Sequence, residues 1–184
     1  MWPTNGPMLS YNVADLLRSA PGTSEQHDVV MAELTIADDV RLARPITGHI
    51  RLSQSGRGIL VRGHFDTALT ESCSRCLRPA EAPVSVDIDE EALPTVDLAS
   101  GAALDLAEEP DALRLDDHHE LDLEPPVREA ISLAEPIAPL CRPDCPGLCV
   151  TCGADLTVDP GHVHDTDDID PRLTALAGLR DRLQ

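Results

Sequence analysis

Alternation of apolar and polar side chains dominates the first half of the chain. Ile46, Gly48, Ile50 and Leu52 fall on one side of residues 46–52, with Thr47, His49 and Arg51 on the other. The same period of two recurs over 59–69, where Val61, Gly63, Phe65 and Leu69 oppose Arg62, His64 and Asp66. It returns at Val84, Val86 and Ile88, which oppose Ser85, Asp87 and Asp89. A period of two marks a strand with one buried face. The gap Gln54-Ser55-Gly56-Arg57-Gly58 has turn chemistry, so these runs predict an antiparallel meander. Residues 29–36 predict one more strand ahead of it.

Helical periodicity is confined to shorter pieces. Val13, Leu16 and Leu17 fit one face of a short helix, or of a strand followed by a helix, within 9–19, and Pro21-Gly22 ends it. A second helix is predicted to start near Pro126, where proline suits the first turn, with Val127, Ala130, Ile131 and Ala134 as its apolar face and Pro136 as its stop. Leu173, Leu176, Leu179 and Leu183 predict a terminal helix over 171–183. The expected fold is α+β: an antiparallel sheet of roughly four to six strands, one or two helices and a cysteine-rich C-terminal segment. Residues 1–184 are expected to form one domain.

Charge changes the picture in the middle of the chain. The 184 residues carry 33 acidic and 14 basic side chains, a formal net charge of −19. All the basic residues are arginine. Between Asp87 and Glu124 there are 14 acidic residues against Arg114 alone, whereas 41–78 holds seven arginines against Asp66 and Glu71. Residues 90–120 therefore predict an acidic, disordered insertion or a surface that docks a basic partner. Aromatic residues make up only 2%, too few for the stacking platforms of common single-strand RNA readers. No apolar run is long enough for a transmembrane helix, and the N-terminal residues lack a basic region followed by an apolar one, so a cytoplasmic location is expected.

The cysteines carry the candidate chemistry. Cys73 and Cys76 form one C-x-x-C; after 64 intervening residues come Cys141, Cys145, Cys149 and Cys152. Cys149-Val150-Thr151-Cys152-Gly153 has the form of a metal knuckle, with glycine permitting the turn after the second sulfur. Cys73-Ser74-Arg75-Cys76 lies between two predicted strands, a place suited to a knuckle. Zinc takes four thiolate or imidazole ligands, and six cysteines overfill one site. Two partitions follow: Cys141, Cys145, Cys149 and Cys152 within one loop, or Cys73 and Cys76 with Cys149 and Cys152. Mixed sets drawing on His162 or His164 stay open, although Gly161-His162-Val163-His164-Asp165 also reads as a polar loop. His118-His119 is expected to be solvent-exposed. Four sulfurs leave no open position for water, so such a zinc would be structural. No nucleophile elbow, phosphate loop, dinucleotide fingerprint or zinc-protease motif occurs, and no enzymatic activity is expected.

These residues carry a resemblance. Cys73-Ser74-Arg75-Cys76-Leu77, together with Asp144-Cys145-Pro146-Gly147-Leu148-Cys149 and Cys152-Gly153-Ala154-Asp155-Leu156, resembles the YceD family. Leu121-Asp122-Leu123-Glu124, Val127-Arg128-Glu129-Ala130 and Pro139-Leu140-Cys141 extend the likeness. Tyr11-Asn12-Val13-Ala14-Asp15-Leu16, Asp159-Pro160-Gly161-His162 and Ile169-Asp170-Pro171-Arg172 resemble its actinobacterial branch. The resemblance implies a role in accumulation of 23S ribosomal RNA and hence in building the large ribosomal subunit. The expected partner is a large-subunit rRNA precursor or a basic large-subunit ribosomal protein, with no membrane and no small-molecule substrate. Arg51, Arg57, Arg62, Arg75, Arg78 and Arg142 are the candidate RNA contacts. The alternatives are a zinc-stabilised protein-interaction module unrelated to the ribosome, or a thiol- or metal-dependent enzyme.

Overall fold

The computed structural model describes residues 9–37 and 40–164. The terminal helix expected over 171–183 lies outside them. Four long antiparallel strands build the meander: β2 (Ser24–Met31), β3 (Arg41–Gln54), β4 (Ile59–Ser72) and β5 (Pro79–Leu93). Before them stand β1 (Ser10–Asn12) and α1 (Ala14–Arg18); after them come β6 (Leu113–Arg114), β7 (Glu120–Asp122) and α2 (Glu124–Leu133). The main sheet has the order β2-β3-β4-β5-β6, and β6 joins β5 in parallel; β1 and β7 form a separate antiparallel ribbon. The fold is thus α+β, with two helices among the described residues. Strand β2 starts five residues earlier than expected and ends at Met31 rather than Ile36. Its first half, Ser24-Glu25-Gln26-His27-Asp28, lies mostly exposed on the sheet edge and needs no apolar alternation to pair with β3.

Register sorts the alternating residues onto one inner face. Gly48 lies opposite Phe65, Ile50 opposite Gly63, and Leu52 opposite Val61; Phe65 in turn lies opposite Val86. Phe65 is 1% exposed and its ring occupies the space that two glycines leave. A Cβ on Gly48 would stand 2.9 Å from its Cδ1, and one on Gly63 2.8 Å from its Cε2. Leu9, Val13, Leu16, Leu121, Leu123, Val127 and Ile131 join these strand residues in one core, so both helices and the small ribbon pack on the meander. Pro45 lies where the β3–β4 register shifts between Arg44 and Thr47, a bulge where its missing N–H costs no ladder bond. In α2, Pro125 and Pro126 fill the first turn, Asp122 accepts from the Glu124 N–H (2.9 Å), and Val127 and Ile131 are buried.

The acidic stretch between β5 and β7 is a series of turns whose carboxylates accept from their own backbone. Asp97 Oδ1 takes the Ala99 and Ser100 N–H groups (3.2 and 2.8 Å), and Asp116 Oδ1 takes those of His118 and Glu120 (2.8 and 2.7 Å). Arg57, in the β3–β4 turn, donates to Glu91 (2.9 Å) and Glu109 (2.6 Å) and ties the stretch to the sheet. That guanidinium and the Ser55 hydroxyl hold the Glu91 carboxyl below the usual range. His118 is exposed as expected, while His119 is half-buried, at φ 61°, in the turn that enters β7.

Candidate metal centres

The connection from β4 to β5 is the first knuckle. Cys73 N–H donates to the Arg78 carbonyl and Leu77 N–H to the Cys73 carbonyl, both at 2.8 Å. The second knuckle repeats this pattern residue for residue: Cys149 N–H to the Ala154 carbonyl and Gly153 N–H to the Cys149 carbonyl, again at 2.8 Å. The residue after each second cysteine has positive φ, 60° at Leu77 and 76° at Gly153. Glycine adopts that conformation freely; leucine does so at a cost of about 1–2 kcal/mol.

The six sulfurs group in neither of the two ways the spacing suggests. Cys73, Cys76, Cys141 and Cys145 converge, and Cys149 and Cys152 converge with His162 and His164; within each group the ligand atoms all lie within 4.8 Å of one another. The reason is the path of the chain after α2. Ser74 N–H bonds to the Pro139 carbonyl (2.8 Å), which brings Cys141 and Cys145 onto the first knuckle. Gly147 then crosses at φ 80°, where a Cβ would meet the Arg75 carbonyl at 3.0 Å. Leu148 N–H bonds to that same carbonyl (3.0 Å), and the chain carries Cys149 away from the first group. The stretch around His162 and His164, also readable as a polar loop, instead turns both imidazoles onto the second pair of thiols.

The first group is mostly buried, with Cys141 on its exposed side. Cys73 and Cys145 are wholly buried and Cys76 is 5% exposed. Cys73 Sγ lies 3.8 Å from Cys145 Sγ, and Cys76 Sγ 3.7 Å from Cys141 Sγ. Four sulfurs about 2.3 Å from one tetrahedral ion would be about 3.8 Å apart along each edge. Their proton affinities diverge. A backbone N–H from Cys141, seconded by Arg75 and Cys76, brings Cys73 down to about 6, whereas desolvation and then the neighbouring sulfurs push Cys141 up to about 12. Four adjacent thiolates repel, and a divalent cation is what lets all four ionise together. The donor set therefore fits a thiophilic metal with closed coordination, which would cross-link the sheet to the loop after α2 and leave no position for a substrate.

The second group is shallower. Cys149 is half-buried and Cys152 exposed. Cys149 Sγ lies 3.1 Å from His164 Nε2, Cys152 Sγ 3.1 Å from His162 Nε2, and the two Nε2 atoms are 3.0 Å apart. Backbone N–H groups of Thr151 and Cys152 hold the Cys149 thiol down to about 6.

The candidate RNA-contacting arginines are mostly engaged within the protein. Arg75 Nη1 donates to the Cys145 carbonyl (2.8 Å), bracing the first knuckle against the loop that carries Cys141 and Cys145, and Arg78 Nη2 donates to Thr157 Oγ1 (2.9 Å), with Asp155 3.8 Å away, bracing it against the chain just past the second knuckle. Arg62 donates to Asp89 (3.1 Å), Arg57 to Glu91 and Glu109, and Arg142 lies 3.4 Å from Asp144. Arg51 faces Gln26, whose amide oxygen accepts from its guanidinium. The bracing roles of Arg75 and Arg78, and the position of Asp159 beside His162, have no signature in the sequence beyond their nearness to the cysteines.

Among the described residues, no helix is long and apolar enough to cross a membrane. No solved structure matches the chain. An uncharacterized protein of Mycobacterium bovis and one of Mycobacterium tuberculosis are each 34% identical to it over 177 residues, covering 93% of this chain and 81% of theirs. One from Mycobacterium leprae is 35% identical over 135 residues, covering 73% of this chain and 59% of its own. The family model described as "Large ribosomal RNA subunit accumulation protein YceD" matches residues 61–180, a span that holds both cysteine groups. The chain belongs to the YceD family of large ribosomal RNA subunit accumulation proteins.

Proposed function

We propose that the protein is a non-enzymatic, cytoplasmic factor in large-subunit assembly that supports 23S rRNA accumulation by binding a basic ribosomal protein on its acidic surface. Family membership supports the ribosomal role. The observation that carries the choice of partner is the pairing of charges. Arg57, Arg62 and Arg142 lie against carboxylates, while Asp105, Glu108, Asp111 and Asp117 stand exposed between β5 and β7. With a net charge of −19, the long-range field attracts cationic partners and repels phosphate. Zinc held by Cys73, Cys76, Cys141 and Cys145 is structural in this reading.

The test is a depletion strain complemented with wild type or with Asp105→Asn/Glu108→Gln/Asp111→Asn/Asp117→Asn. Depletion lowers the ratio of 23S to 16S rRNA, wild type restores it, and the neutralised variant does not, although its circular dichroism and zinc content match wild type. An unchanged rRNA ratio on depletion would overturn the ribosomal role. Full rescue by the neutralised variant would overturn the acidic-surface route. RNA binding that weakens steeply with salt would instead place the contact on phosphate.

A further inference from the structure

We propose that Cys149, Cys152, His162 and His164 form a second zinc site, distinct from the four-cysteine site, that fills and empties without unfolding the sheet. The inference rests on local geometry and not on the ribosomal reading. Four lone-pair atoms, two Sγ and two Nε2, face one another within 4.8 Å. An ordinary hydrogen-bond network does not explain this. A neutral imidazole carries one ring proton, yet His162 Nε2 has both Cys152 Sγ at 3.1 Å and His164 Nε2 at 3.0 Å. If Nε2 held the proton, His162 Nδ1 would be an acceptor facing another acceptor: Asp159 Oδ2 lies 3.5 Å from it. With the proton on Nδ1, directed at Asp159, the Nε2 lone pair points into the group. A carboxylate behind a ligating imidazole is the usual support of a metal-bound histidine. The sulfur–nitrogen and nitrogen–nitrogen separations are a few tenths of an ångström below the roughly 3.6 and 3.3 Å edges of a Cys₂His₂ zinc tetrahedron.

The backbone provides a second, independent observation. Residues 149–154 repeat the hydrogen-bond pattern of 73–78, so a second metal-type knuckle exists that the four-cysteine group does not use. Placement argues for independence. The four-cysteine group lies between β4 and β5, whereas Cys152 is exposed and its neighbours Val150 and Val163 are 102% and 80% exposed. None of the four ligands belongs to the core that unites the meander with the helices. The chain entering and leaving the second knuckle meets the first one at the Arg75 carbonyl, which accepts from the Leu148 N–H, and at Arg78, which donates to Thr157.

The test is zinc per full-length chain, with cobalt as a spectroscopic substitute. Wild type is expected to hold two zinc ions. Cys149→Ser/Cys152→Ser and His162→Ala/His164→Ala should each hold one, with unchanged far-ultraviolet circular dichroism. Thiolate-to-cobalt charge-transfer absorption per chain should fall by about one-third in the serine variant, since two of the six sulfurs belong to the second group. Because a variant can fail to fold, wild type is also titrated with a zinc-chelating dye; one equivalent should leave first, with the sheet signal intact. One zinc per wild-type chain, two zinc ions retained in the histidine variant, or loss of the sheet signal with the first equivalent would each overturn the proposal.

Discussion

Removing the metal from the four-cysteine site should cost the protein a large part of its stability. The site fastens the β4–β5 connection at Cys76 to Cys141, and 64 residues lie between them. In the chain-entropy treatment of a cross-link, closing a loop of that length restricts the unfolded chain by about 4 kcal/mol. A domain of this kind has only about 5–15 kcal/mol in total. Apolar packing adds little at that corner, because Cys73, Cys76, Cys145 and Ala80 form a small cluster apart from the main core, with Leu140 packed against it. With a denaturant slope near 2 kcal/mol per molar urea, the expected fall in the unfolding midpoint is roughly 2 M. The assay is urea unfolding followed by far-ultraviolet circular dichroism, on zinc-loaded protein, on chelated protein and on Cys141→Ser/Cys145→Ser. A midpoint that stays put after zinc loss has been verified by elemental analysis would refute the cross-link argument.

Three further outcomes are expected. Gly48→Ala places a Cβ 2.1 Å from the His64 carbonyl oxygen, a backbone atom with no freedom to withdraw; a loss of about 3 kcal/mol should lower the melting temperature by roughly 6–12 °C, and a shift under a degree would contradict it. Leu77→Gly relieves a left-handed φ at a side chain that is 68% exposed, so the unfolding free energy should rise by about 1 kcal/mol; any decrease counts against this. The Asp87 carboxylate, 2.7 Å from His64 Nδ1, raises the His64 pKa. That pair stabilises the fold below the ordinary histidine value of about 6.5 and ceases to do so as pH climbs through the raised value. Asp87→Asn should return the His64 titration, followed by nuclear magnetic resonance, toward its ordinary position.

The meander was legible because its inner face alternates strictly: Ile46, Ile50, Leu52, Val61, Phe65, Val84, Val86 and Ile88 are all buried. The start of β2 was not, because an edge strand exposed on both faces leaves no periodic trace in Ser24–Asp28. Nor was β6, two residues that pair in parallel across a 19-residue excursion from β5. For the cysteines, the ligand types were readable and the partition was not. Cys145 and Cys149 are four residues apart in sequence, yet Gly147 turns the chain between them so that they serve different groups. Sequence nearness favours a single loop site; the crossing at Arg75 decides otherwise. The available signal for the second group was His162-Val163-His164 standing ten residues beyond Cys152 of the second C-x-x-C, a spacing short enough for one loop to close on itself.

The position of the first knuckle also sets an order of events during synthesis. Strands β2 to β5 pair only with sequence neighbours, so the meander has its own contacts as soon as residue 93 has cleared the ribosome. Cys73 and Cys76 are by then in place at the hairpin connection as half of a site. Their partner Cys141 is translated 48 residues after residue 93, which at about 5–20 residues per second is a delay of roughly 2 to 10 s. Through that interval the nascent chain presents two unpaired thiols on a meander whose strands have their partners but whose covering helix α2 is still being made. Whichever metal or oxidant reaches them first decides whether the remaining cysteines arrive to complete a cross-link or find it blocked.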